Sequence, residues 1–394
     1  MNDYDVIVVG ARCAGAPTAM LLARQGYRVL LVDRATFPSD TQSTHLIHSP
    51  GVAALRRWGL LDAVVASGCP PIERYSFDFG PFTLAGTQHP ADGMSTAYAP
   101  RRTVLDHLLV EAAADAGVEV REGFTVGTVV GEGGRVVGIK GHDESGQMMS
   151  ARARVVVGAD GRSSKVAQAV RPEQYHEKPI LQWSAYTYWR DLPTDGMETI
   201  IRPNRGWAAI PTNDDLTMVV VGWPTAESHA YRTDIEANYL ATFGLAPEFA
   251  ERVRGATRVE RYRFAGVPNF YRRPFGPGWA LVGDAGFCKD PITAQGISDA
   301  FADAELCAEA LDRAFRGERS FDESMSAYQQ ARDSRTLPTY GFTTELATLE
   351  PPPVEVQQLL GAASGTQAAM DDFVSVIAGT LSPADFFAPP GVAA

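Results

Sequence analysis

The N-terminal stretch YDVIVVGARCAGAPTAM constrains the fold of this chain more than any other part of the sequence. An apolar run, Val6 to Val9, leads into a glycine turn, and the segment after Gly15 has the pattern of a helix that ends at Gly26. The next apolar run, YRVLLVDRA, reads as a strand that ends in Asp33. A strand, turn, helix, strand and acidic residue in this order are typical of a βαβ unit that binds an adenine dinucleotide.

The turn departs from the common G-x-G-x-x-G pattern at its second glycine position, which Arg12 occupies. Arginine keeps the backbone N–H and adds a guanidinium whose fork suits phosphate oxygens. We therefore expect Arg12 to contact the pyrophosphate or the ribityl chain beside it. The alternative is that Arg12 points to solvent and only its backbone matters. The residues of this unit expected to bind the cofactor are Gly10, Arg12, Cys13, Ala14, Gly15, Asp33 and Arg34.

Two further motifs narrow the class of protein. The stretch VVVGADGRSS is a strand followed by a turn that contains Asp160, and ALVGDAGFCKDPITAQGISDA is a strand followed by Gly283-Asp284 and the start of a helix at Gly296. In addition, Arg102 opens a helix in PRRTVLDHLL. The chain to about residue 340 resembles the FAD-dependent monooxygenases with the para-hydroxybenzoate hydroxylase fold, a family whose fold is shared by halogenases and isoprenoid reductases.

The resemblance implies an α/β fold with three parts. A discontinuous Rossmann-like FAD-binding domain would comprise residues 1–74, 98–172 and 272–345. An inserted antiparallel β-sheet domain for the substrate would comprise residues 75–97 and 173–271. Residues 346–394 would form a helical C-terminal tail that packs across the pocket or forms a dimer contact.

The resemblance also assigns cofactor contacts outside the first unit. Arg102 would contact the cofactor, with Arg101 as the neighbouring alternative, and backbone near Val126 would meet the adenine. Asp284 would accept a hydrogen bond from a ribityl hydroxyl. The N-terminus of the helix that begins near Gly296 would stabilise negative charge on the flavin ring. Asp160 would serve the flavin region, although a turn-forming role is the alternative. The further residues expected to bind the cofactor are Arg102, Val126, Asp160, Gly283, Asp284, Gln295, Gly296 and Ile297.

Residues 173–271 are rich in alternating aromatic side chains. In LQWSAYTYWRD, Trp183, Ala185, Thr187 and Trp189 share one strand face, and Ser184, Tyr186 and Tyr188 share the other. One face would line the pocket, although core packing is the alternative for each aromatic residue. Hairpins are expected with turns at residues 213–215 and within residues 75–86.

We expect substrate contacts from His45, Tyr186, Trp207 and Pro291, and His48 and Tyr188 are the candidate catalytic bases. For both histidines the alternative is that they brace the helix that follows. The spacing His-x-x-His lacks an evident third ligand, so no metal site is expected.

The resemblance implies a monooxygenase in which NAD(P)H reduces FAD and O₂ adds to give a flavin hydroperoxide. An aromatic or other electron-rich small molecule then takes the distal oxygen. An isoprenoid-type reductase or a halogenase is the alternative, but the family halogenases use a lysine from the N-terminal part, and this chain has none before Lys140. Their W-x-W-x-I-P motif also fails, because its tryptophan positions hold Gly206 and Ala208. A non-catalytic flavin-binding protein is a further alternative.

Composition limits the partners and the location. A net charge of −12 argues against nucleic acid as the main partner, because phosphate binding needs a basic face. No apolar run reaches the roughly 18 residues of a membrane span, and no leader-like segment precedes the first strand. We therefore expect a cytoplasmic enzyme, monomeric or homodimeric, whose partners are a small molecule and O₂.

Overall fold

The structure, a computed structural model, describes residues 3–387. It is a mixed α/β fold with two large sheets. The predicted domain and tail boundaries at residues 1–2 and 388–394 lie outside the described residues. Within residues 3–387, no helix is both long enough and apolar enough to cross a membrane.

The strands are β1 (Tyr4–Val9), β2 (Val29–Val32), β3 (Pro71–Ile72), β4 (Tyr75–Asp78), β5 (Thr83–Gly86), β6 (Ala97–Tyr98), β7 (Glu119–Arg121), β8 (Thr125–Glu132), β9 (Arg135–His142), β10 (Met148–Gly158), β11 (Gln174–Lys178), β12 (Gln182–Arg190), β13 (Met197–Arg202), β14 (Arg205–Thr212), β15 (Leu216–Pro224), β16 (Thr257–Arg258), β17 (Arg263–Gly266), β18 (Asn269–Arg272), β19 (Phe275–Gly276), β20 (Trp279–Leu281) and β21 (Phe287–Cys288).

The helices are α1 (Gly15–Arg24), α2 (Ser49–Trp58), α3 (Leu61–Ala66), α4 (Arg102–Asp115), α5 (Lys165–Val170), α6 (Ser228–Thr233), α7 (Ile235–Thr242), α8 (Pro247–Gly255), α9 (Gly296–Phe315), α10 (Phe321–Leu346), α11 (Val354–Ala363), α12 (Gln367–Ala378) and α13 (Pro383–Phe387). Short 3₁₀ turns lie at Thr225–Glu227, Phe243–Leu245, Gly283–Ala285 and Pro291–Thr293.

The first sheet contains the predicted βαβ unit. Its parallel strands run in the order β20-β10-β1-β2-β7, and β8 and β9 form an antiparallel ribbon that joins the first half of β10. Strand β1 is buried on both faces, because α1 and α9 pack on one face and the ribbon with α5 packs on the other. Parallel strands that are covered on both sides read as continuous apolar runs, which is the pattern that predicted β1 and β2.

The second sheet runs β16-β12-β15-β14-β13-β4-β5, with β17 beside β12, and it is antiparallel except where β13 meets β4. Both predicted hairpins are present. In the turn between β14 and β15, Asp214 and Asp215 adopt φ values of 64° and 53°, a left-handed conformation that aspartate tolerates.

The two faces of this sheet pack against different parts of the chain. One face, here called the tryptophan face, carries Trp189, Trp207 and Trp223 and is covered by α6, α7 and α8. The other, here called the tyrosine face, carries Tyr186 and Tyr188 and packs with residues of α11 and α12. The predicted alternation of strand β12 is therefore confirmed.

Candidate functional site

The turn between β1 and α1 requires its two glycines. Gly10 has a φ of 101°, and a Cβ there would lie 2.5 Å from the carbonyl oxygen of Ala159. A Cβ at Gly15 would overlap the carbonyl oxygen of Gly10. Asp33 braces the turn, since its carboxylate accepts the backbone N–H of Ala11 at 2.7 Å. The close approach of two backbone segments therefore selects glycine at both positions.

The side chain of Arg12 is anchored inside the protein. Its Nη1 donates to Asp106 Oδ2 at 2.5 Å, and its Nη2 donates to Ser39 Oγ at 3.1 Å. Asp106 is fully buried and also accepts from Arg102 at 2.8 Å and from the thiol of Cys13 at 3.4 Å. The guanidinium therefore links the glycine turn to α4, and the contact with a pyrophosphate stays a prediction.

Asp106 was not among the site residues predicted from the sequence, although it lies four residues after Arg102. The structure shows that it pairs with both Arg12 and Arg102. A carboxylate four residues after an arginine on a helix is a usual ion-pair spacing, and that signal was available. Its link to Arg12 was not, because that link depends on how α4 packs against α1.

Asp284 lies in the short turn Gly283–Ala285 that follows β20. Its side chain is exposed and makes no hydrogen bond to the described residues, yet the surrounding protein raises the pKa of this carboxyl above its usual value. The charges of Arg162 and Arg102 oppose that rise in the pKa. A carboxylate without a partner is suited to accept a hydrogen bond from a hydroxyl group of a bound molecule.

The residues around Asp284 fit an FAD. Gly296, the first residue of α9, is exposed, and no other segment of the described chain lies within 4 Å of the position where its Cβ would stand, so the first turn of the helix is open on this side. Gly283 has a φ of 56°, and its N–H donates to Asp303 Oδ2 at 3.1 Å, which fixes the turn before Asp284. An unpartnered acceptor and an open helix N-terminus are suited to a ribityl chain and to a flavin ring.

The two segments expected to meet the adenine, the end of β2 and the start of β8, are neighbours. The N–H of Phe124 donates to the carbonyl oxygen of Asp33 at 2.7 Å, so the start of β8 lies beside the end of β2. Val126 is buried in β8 and Arg34 is exposed. Their contacts with the cofactor stay predictions.

Asp160 has a local task in this structure. Its carboxylate accepts from Ser164 Oγ at 2.5 Å and from the N–H of Lys165 at 2.6 Å, at the start of α5. Burial raises its pKa, and these hydrogen bonds oppose the rise. This geometry favours the turn-forming alternative for Asp160.

The side chain of Gln295 is turned away from the open N-terminus of α9. Its Nε2 donates to the carbonyl oxygen of Ile377 at 2.8 Å, and its Oε1 accepts from Lys289 Nζ at 2.5 Å. Both ends of the amide are held by the protein, so the expected cofactor contact of this residue, which stays a prediction, would come from its backbone. Ile297 is buried beside it.

A buried ionic network lies behind this loop, and the sequence did not reveal it. Asp299 pairs with Lys289 at 2.9 Å and with Arg335 at 2.7 Å, and Arg335 also pairs with Asp303 at 3.2 Å. Burial raises the pKa of Asp303 to about 6, whereas the two cations hold the pKa of Asp299 below its usual value despite burial. The i, i+4 spacing of the two aspartates was the available signal.

His45 joins the cofactor side to the tyrosine face. It is fully buried with a φ of 63°, its Nε2 lies 2.5 Å from the hydroxyl of Tyr188, and its Nδ1 has no partner among the described residues. Burial and, to a smaller extent, the positive charges of Arg102 and Arg101 together lower its pKa to about 3. The ring is therefore neutral, and its Nδ1 is enclosed by protein without a hydrogen-bond partner among the described residues.

The two tyrosines beside His45 are neutral phenols. Burial raises the pKa of Tyr186 to about 12 and raises that of Tyr188 further. The guanidinium of Arg101 lies 4.6 Å from the ring centre of Tyr188. A phenol with a raised pKa is scarcely ionised near neutral pH, so little phenolate is present to act as a base. This geometry favours Tyr188 as a hydrogen-bonding partner of His45.

His48 braces the loop before α9. Its Nε2 lies 2.9 Å from the carbonyl oxygen of Thr293, and its Nδ1 lies 3.0 Å from the hydroxyl of Tyr75. Nε2 must therefore donate and Nδ1 must accept, and burial lowers the pKa of the ring to about 4. Because both nitrogens are occupied, this geometry favours the bracing alternative for His48.

Trp207 does not lie beside Tyr186 and Tyr188, and the expected substrate contact is corrected. Alternation along β14 places it on the tryptophan face, where it packs against Phe243 and Phe249. Pro291 is half-buried in the turn before α9, and its substrate contact stays a prediction.

Comparison with known proteins establishes the family of this chain. The family model described as FAD binding domain matches residues 3–337, so the chain belongs to that family. Its members include FAD-dependent monooxygenases, halogenases and an isoprenoid reductase of the para-hydroxybenzoate hydroxylase fold, and the chain is an FAD-dependent oxidoreductase.

Curated relatives differ in reaction. The chain is 26% identical to a tryptophan 2-halogenase of Chondromyces crocatus over 85% of this chain and 66% of the relative. It is 26% identical to the rifampicin monooxygenase of Streptomyces venezuelae over 91% of this chain and 74% of the relative. A digeranylgeranylglycerophospholipid reductase of Methanocella arvoryzae is 28% identical over 83% of this chain and 82% of the relative.

Solved structures show the same fold. The myxobacterial chondrochloren halogenase superposes with a TM-score of 0.81 at 24% identity, over 97% of this chain and 98% of that chain. A probable FAD-dependent monooxygenase of Pseudomonas aeruginosa superposes with a TM-score of 0.72 at 21% identity, over 95% of this chain and 99% of that chain. These similarities establish the fold and leave the reaction to be argued from the site.

Proposed function

We propose that this protein is an FAD-dependent monooxygenase that uses NAD(P)H and O₂ to oxygenate an aromatic or other electron-rich small molecule. The observation that carries the proposal is the position of His45. Its ring meets Tyr188 on the tyrosine face, and it lies within the electrostatic range of Arg102 on the cofactor side. His45 therefore links the tyrosine face, where the substrate would lie, to the cofactor side.

The tyrosine face is suited to excluding water from such a substrate. Phe373, Val374 and Ile377 of the tail pack in the same apolar cluster as Tyr186 and Tyr188. The hydrogen bond from Gln295 to the tail ties that cover to the loop before α9. Bound FAD would supply hydride acceptance and O₂ activation. The chain's own residues would orient the substrate and keep water out.

The lysines favour oxygenation over halogenation. The halogenases of this family use a free lysine near the pocket, and Lys289 is the only buried lysine among the described residues. Its ammonium is held by Asp299 at 2.9 Å and by Gln295 at 2.5 Å, so it is not free to meet a ligand. This supports the monooxygenase over the halogenase.

The test is oxygen incorporation by the FAD-loaded protein. Phenols, indoles and aminobenzoates would be incubated with NADH or NADPH under ¹⁸O₂, with and without bromide, and the products analysed by mass spectrometry. A product that carries one labelled oxygen, together with substrate-stimulated NAD(P)H oxidation, is the expected result. A brominated product, or reduction of a double bond without labelled oxygen, would contradict the proposal.

A further inference from the structure

Residues 39–45, here called the bridging segment, run from the glycine turn to the tyrosine face without regular secondary structure. Within the described chain, no residue of this segment forms a hydrogen bond between its backbone and another backbone group. Most of the segment is half-buried, and its last residue, His45, is fully buried. Side chains must therefore hold the segment in place, because the backbone pairing that fixes helices and strands is missing here.

The beginning of the bridging segment is bonded to Arg12. Nη1 of Arg12 donates to the carbonyl oxygen of Ser39 at 3.2 Å, and Nη2 donates to Ser39 Oγ at 3.1 Å. The same guanidinium donates to Asp106 of α4, which is fully buried. The planar fork of one arginine therefore joins the glycine turn, α4 and the bridging segment.

The middle of the bridging segment is bonded to β17 of the second sheet. Asp40 pairs with Arg263 at 2.5 Å, and Gln42 Nε2 donates to the carbonyl oxygen of Phe264 at 3.1 Å. Among the described residues, Arg12 supplies the only hydrogen bonds that the glycine turn, α1 and α4 make to this segment. The segment is therefore held from two sides, by one arginine on the first and by β17 on the second.

The end of the bridging segment meets the hydroxyl groups of the tyrosine face. The N–H of Ser43 donates to the hydroxyl of Tyr186 at 3.4 Å, and His45 Nε2 lies 2.5 Å from the hydroxyl of Tyr188. The N–H of His45 also donates to Ser43 Oγ at 3.0 Å, which ties the two contacts together. A displacement at Ser39 would therefore reach both tyrosine hydroxyls through a few residues of chain.

We propose that Arg12 is a positioning residue for the tyrosine face, and that it acts by holding the bridging segment. This inference rests on the proposed function for the substrate that the tyrosine face receives. It accounts for an arginine at the second glycine position of the turn, since a glycine there would leave Ser39 without these two donors. Loss of the guanidinium should free the segment and move the hydroxyls of Tyr186 and Tyr188, while the two glycines keep the backbone of the turn.

Lysine at this position separates positioning from charge. Arg12→Lys keeps one positive charge near a bound pyrophosphate, but a single ammonium lacks the fork that reaches Asp106 and both oxygens of Ser39 together. Positioning therefore predicts a loosened segment with little change in FAD affinity. A direct contact between the fork and the pyrophosphate predicts the reverse.

Hydrogen exchange of the FAD-loaded protein, read by mass spectrometry, is the first measurement. In Arg12→Lys, peptides that cover residues 39–45 should exchange at least about 10-fold faster than in the parent, because hydrogen bonds from a charged donor are lost. Peptides that cover β1 and β2 should not change. Arg313→Lys is the matched control, since the ion pair of Arg313 with Glu309 lies within α9, and it should leave the segment unchanged.

Two results of this measurement would overturn the proposal. Unchanged exchange of the bridging segment in Arg12→Lys would mean that the arginine does not hold it. Equally faster exchange in β1, β2 and the segment would mean that the substitution disturbs the whole βαβ unit.

FAD titration of stripped protein is the second measurement. The Kd of Arg12→Lys should stay within about threefold of the parent value, because the positive charge is retained. A larger loss of affinity would assign the guanidinium to the cofactor itself and would overturn the proposal.

The labelled-oxygen assay supplies a readout that a merely structural residue would not move. In Arg12→Lys, KM for the substrate should rise by about tenfold with kcat nearly unchanged, the pattern of lost ground-state binding. An unchanged KM would overturn the proposal. Absence of labelled product from the parent protein would end the proposed function, whereas hydrogen exchange and FAD titration would still show whether Arg12 holds the segment.

Ser39→Ala keeps the question answerable if Arg12→Lys does not fold. It removes the acceptor of Nη2 and leaves the carbonyl oxygen that accepts from Nη1. Exchange of the bridging segment should therefore rise, by less than in Arg12→Lys, with FAD affinity unchanged. No rise in exchange would overturn the proposal.

Discussion

The two faces of the second sheet use aromatic residues for different purposes. On the tryptophan face, Trp207 and Trp223 are enclosed by aromatic rings of α6, α7 and α8. On the tyrosine face, Tyr188 meets His45, whose second ring nitrogen is unpartnered. Trp207 Nε1 on the tryptophan face is also buried without a partner among the described residues, so neither aromatic content nor an unsatisfied polar atom by itself locates a binding site. The two faces differ in what covers them: α6, α7 and α8 close the tryptophan face, whereas Tyr188 on the tyrosine face meets His45.

Trp207→Ala is expected to give the largest effect, on stability alone. Truncating a fully packed tryptophan should lower the free energy of unfolding by about 3–5 kcal/mol. Affinity for FAD should not change, because the residue is on the sealed face. Denaturant unfolding and FAD titration below the melting temperature measure the two quantities. A loss of FAD affinity as large as the loss of stability would mean that the tryptophan face also contributes to FAD binding.

The neutral histidines should make the protein sensitive to acid. The unfolded chain binds protons at His45 and His48 below about pH 6.5, but the folded pKa values are about 3 and about 4. Stability is therefore full above about pH 6.5 and falls as pH drops towards those values, by up to about 1.4 kcal/mol per pH unit for each ring.

His45→Gln tests that pH dependence. The variant should show a shallower loss of stability between about pH 6.5 and about pH 4 than the parent, because glutamine does not titrate. His142→Gln, at an exposed site, serves as the control and should keep the parent slope. Equal slopes for the parent and His45→Gln would mean that His45 is protonated in the folded protein.

Asp284→Ala should lower FAD affinity and leave stability nearly unchanged, the opposite of Trp207→Ala. Removal of a charged acceptor should lower FAD affinity by one to two powers of ten, if its hydrogen bond contributes about 1.5–3 kcal/mol. Stability without FAD should change by no more than about 0.5 kcal/mol, because the side chain is exposed. FAD titration of stripped protein measures the first quantity, with Asp195→Ala as an exposed control. Unchanged affinity would place the ribityl contact elsewhere.

Tyr188→Phe should have a smaller effect on stability than Trp207→Ala. It removes one hydrogen bond to His45, so the free energy of unfolding should fall by about 0.5–1.5 kcal/mol. Turnover of the labelled-oxygen assay should fall more than in Tyr186→Phe, whose hydroxyl is 3.4 Å from its donor, Ser43 N. Equal turnover in the two variants would mean that the hydrogen bond between Tyr188 and His45 does not contribute to the reaction.

Much of this architecture was accessible from local patterns in the sequence. The apolar run before Gly10, the turn and the acidic end of β2 predicted the βαβ unit, since strand and helix periodicities are local properties. The alternation from Trp183 to Trp189 predicted two faces of β12 correctly. The sequence did not say which face would be sealed, and Trp207, which was expected to contact the substrate, lies on the sealed face.

The sequence by itself determined the class of fold, the glycine turn and the cofactor family, because these follow from short motifs and from periodicity. Only the tertiary structure decided the partners of the polar groups. It brought Arg12 to Asp106 and Gln295 to the carbonyl oxygen of Ile377. The physical reason is that desolvation and long-range pairing depend on which elements pack together, and neighbours in the sequence do not record that packing.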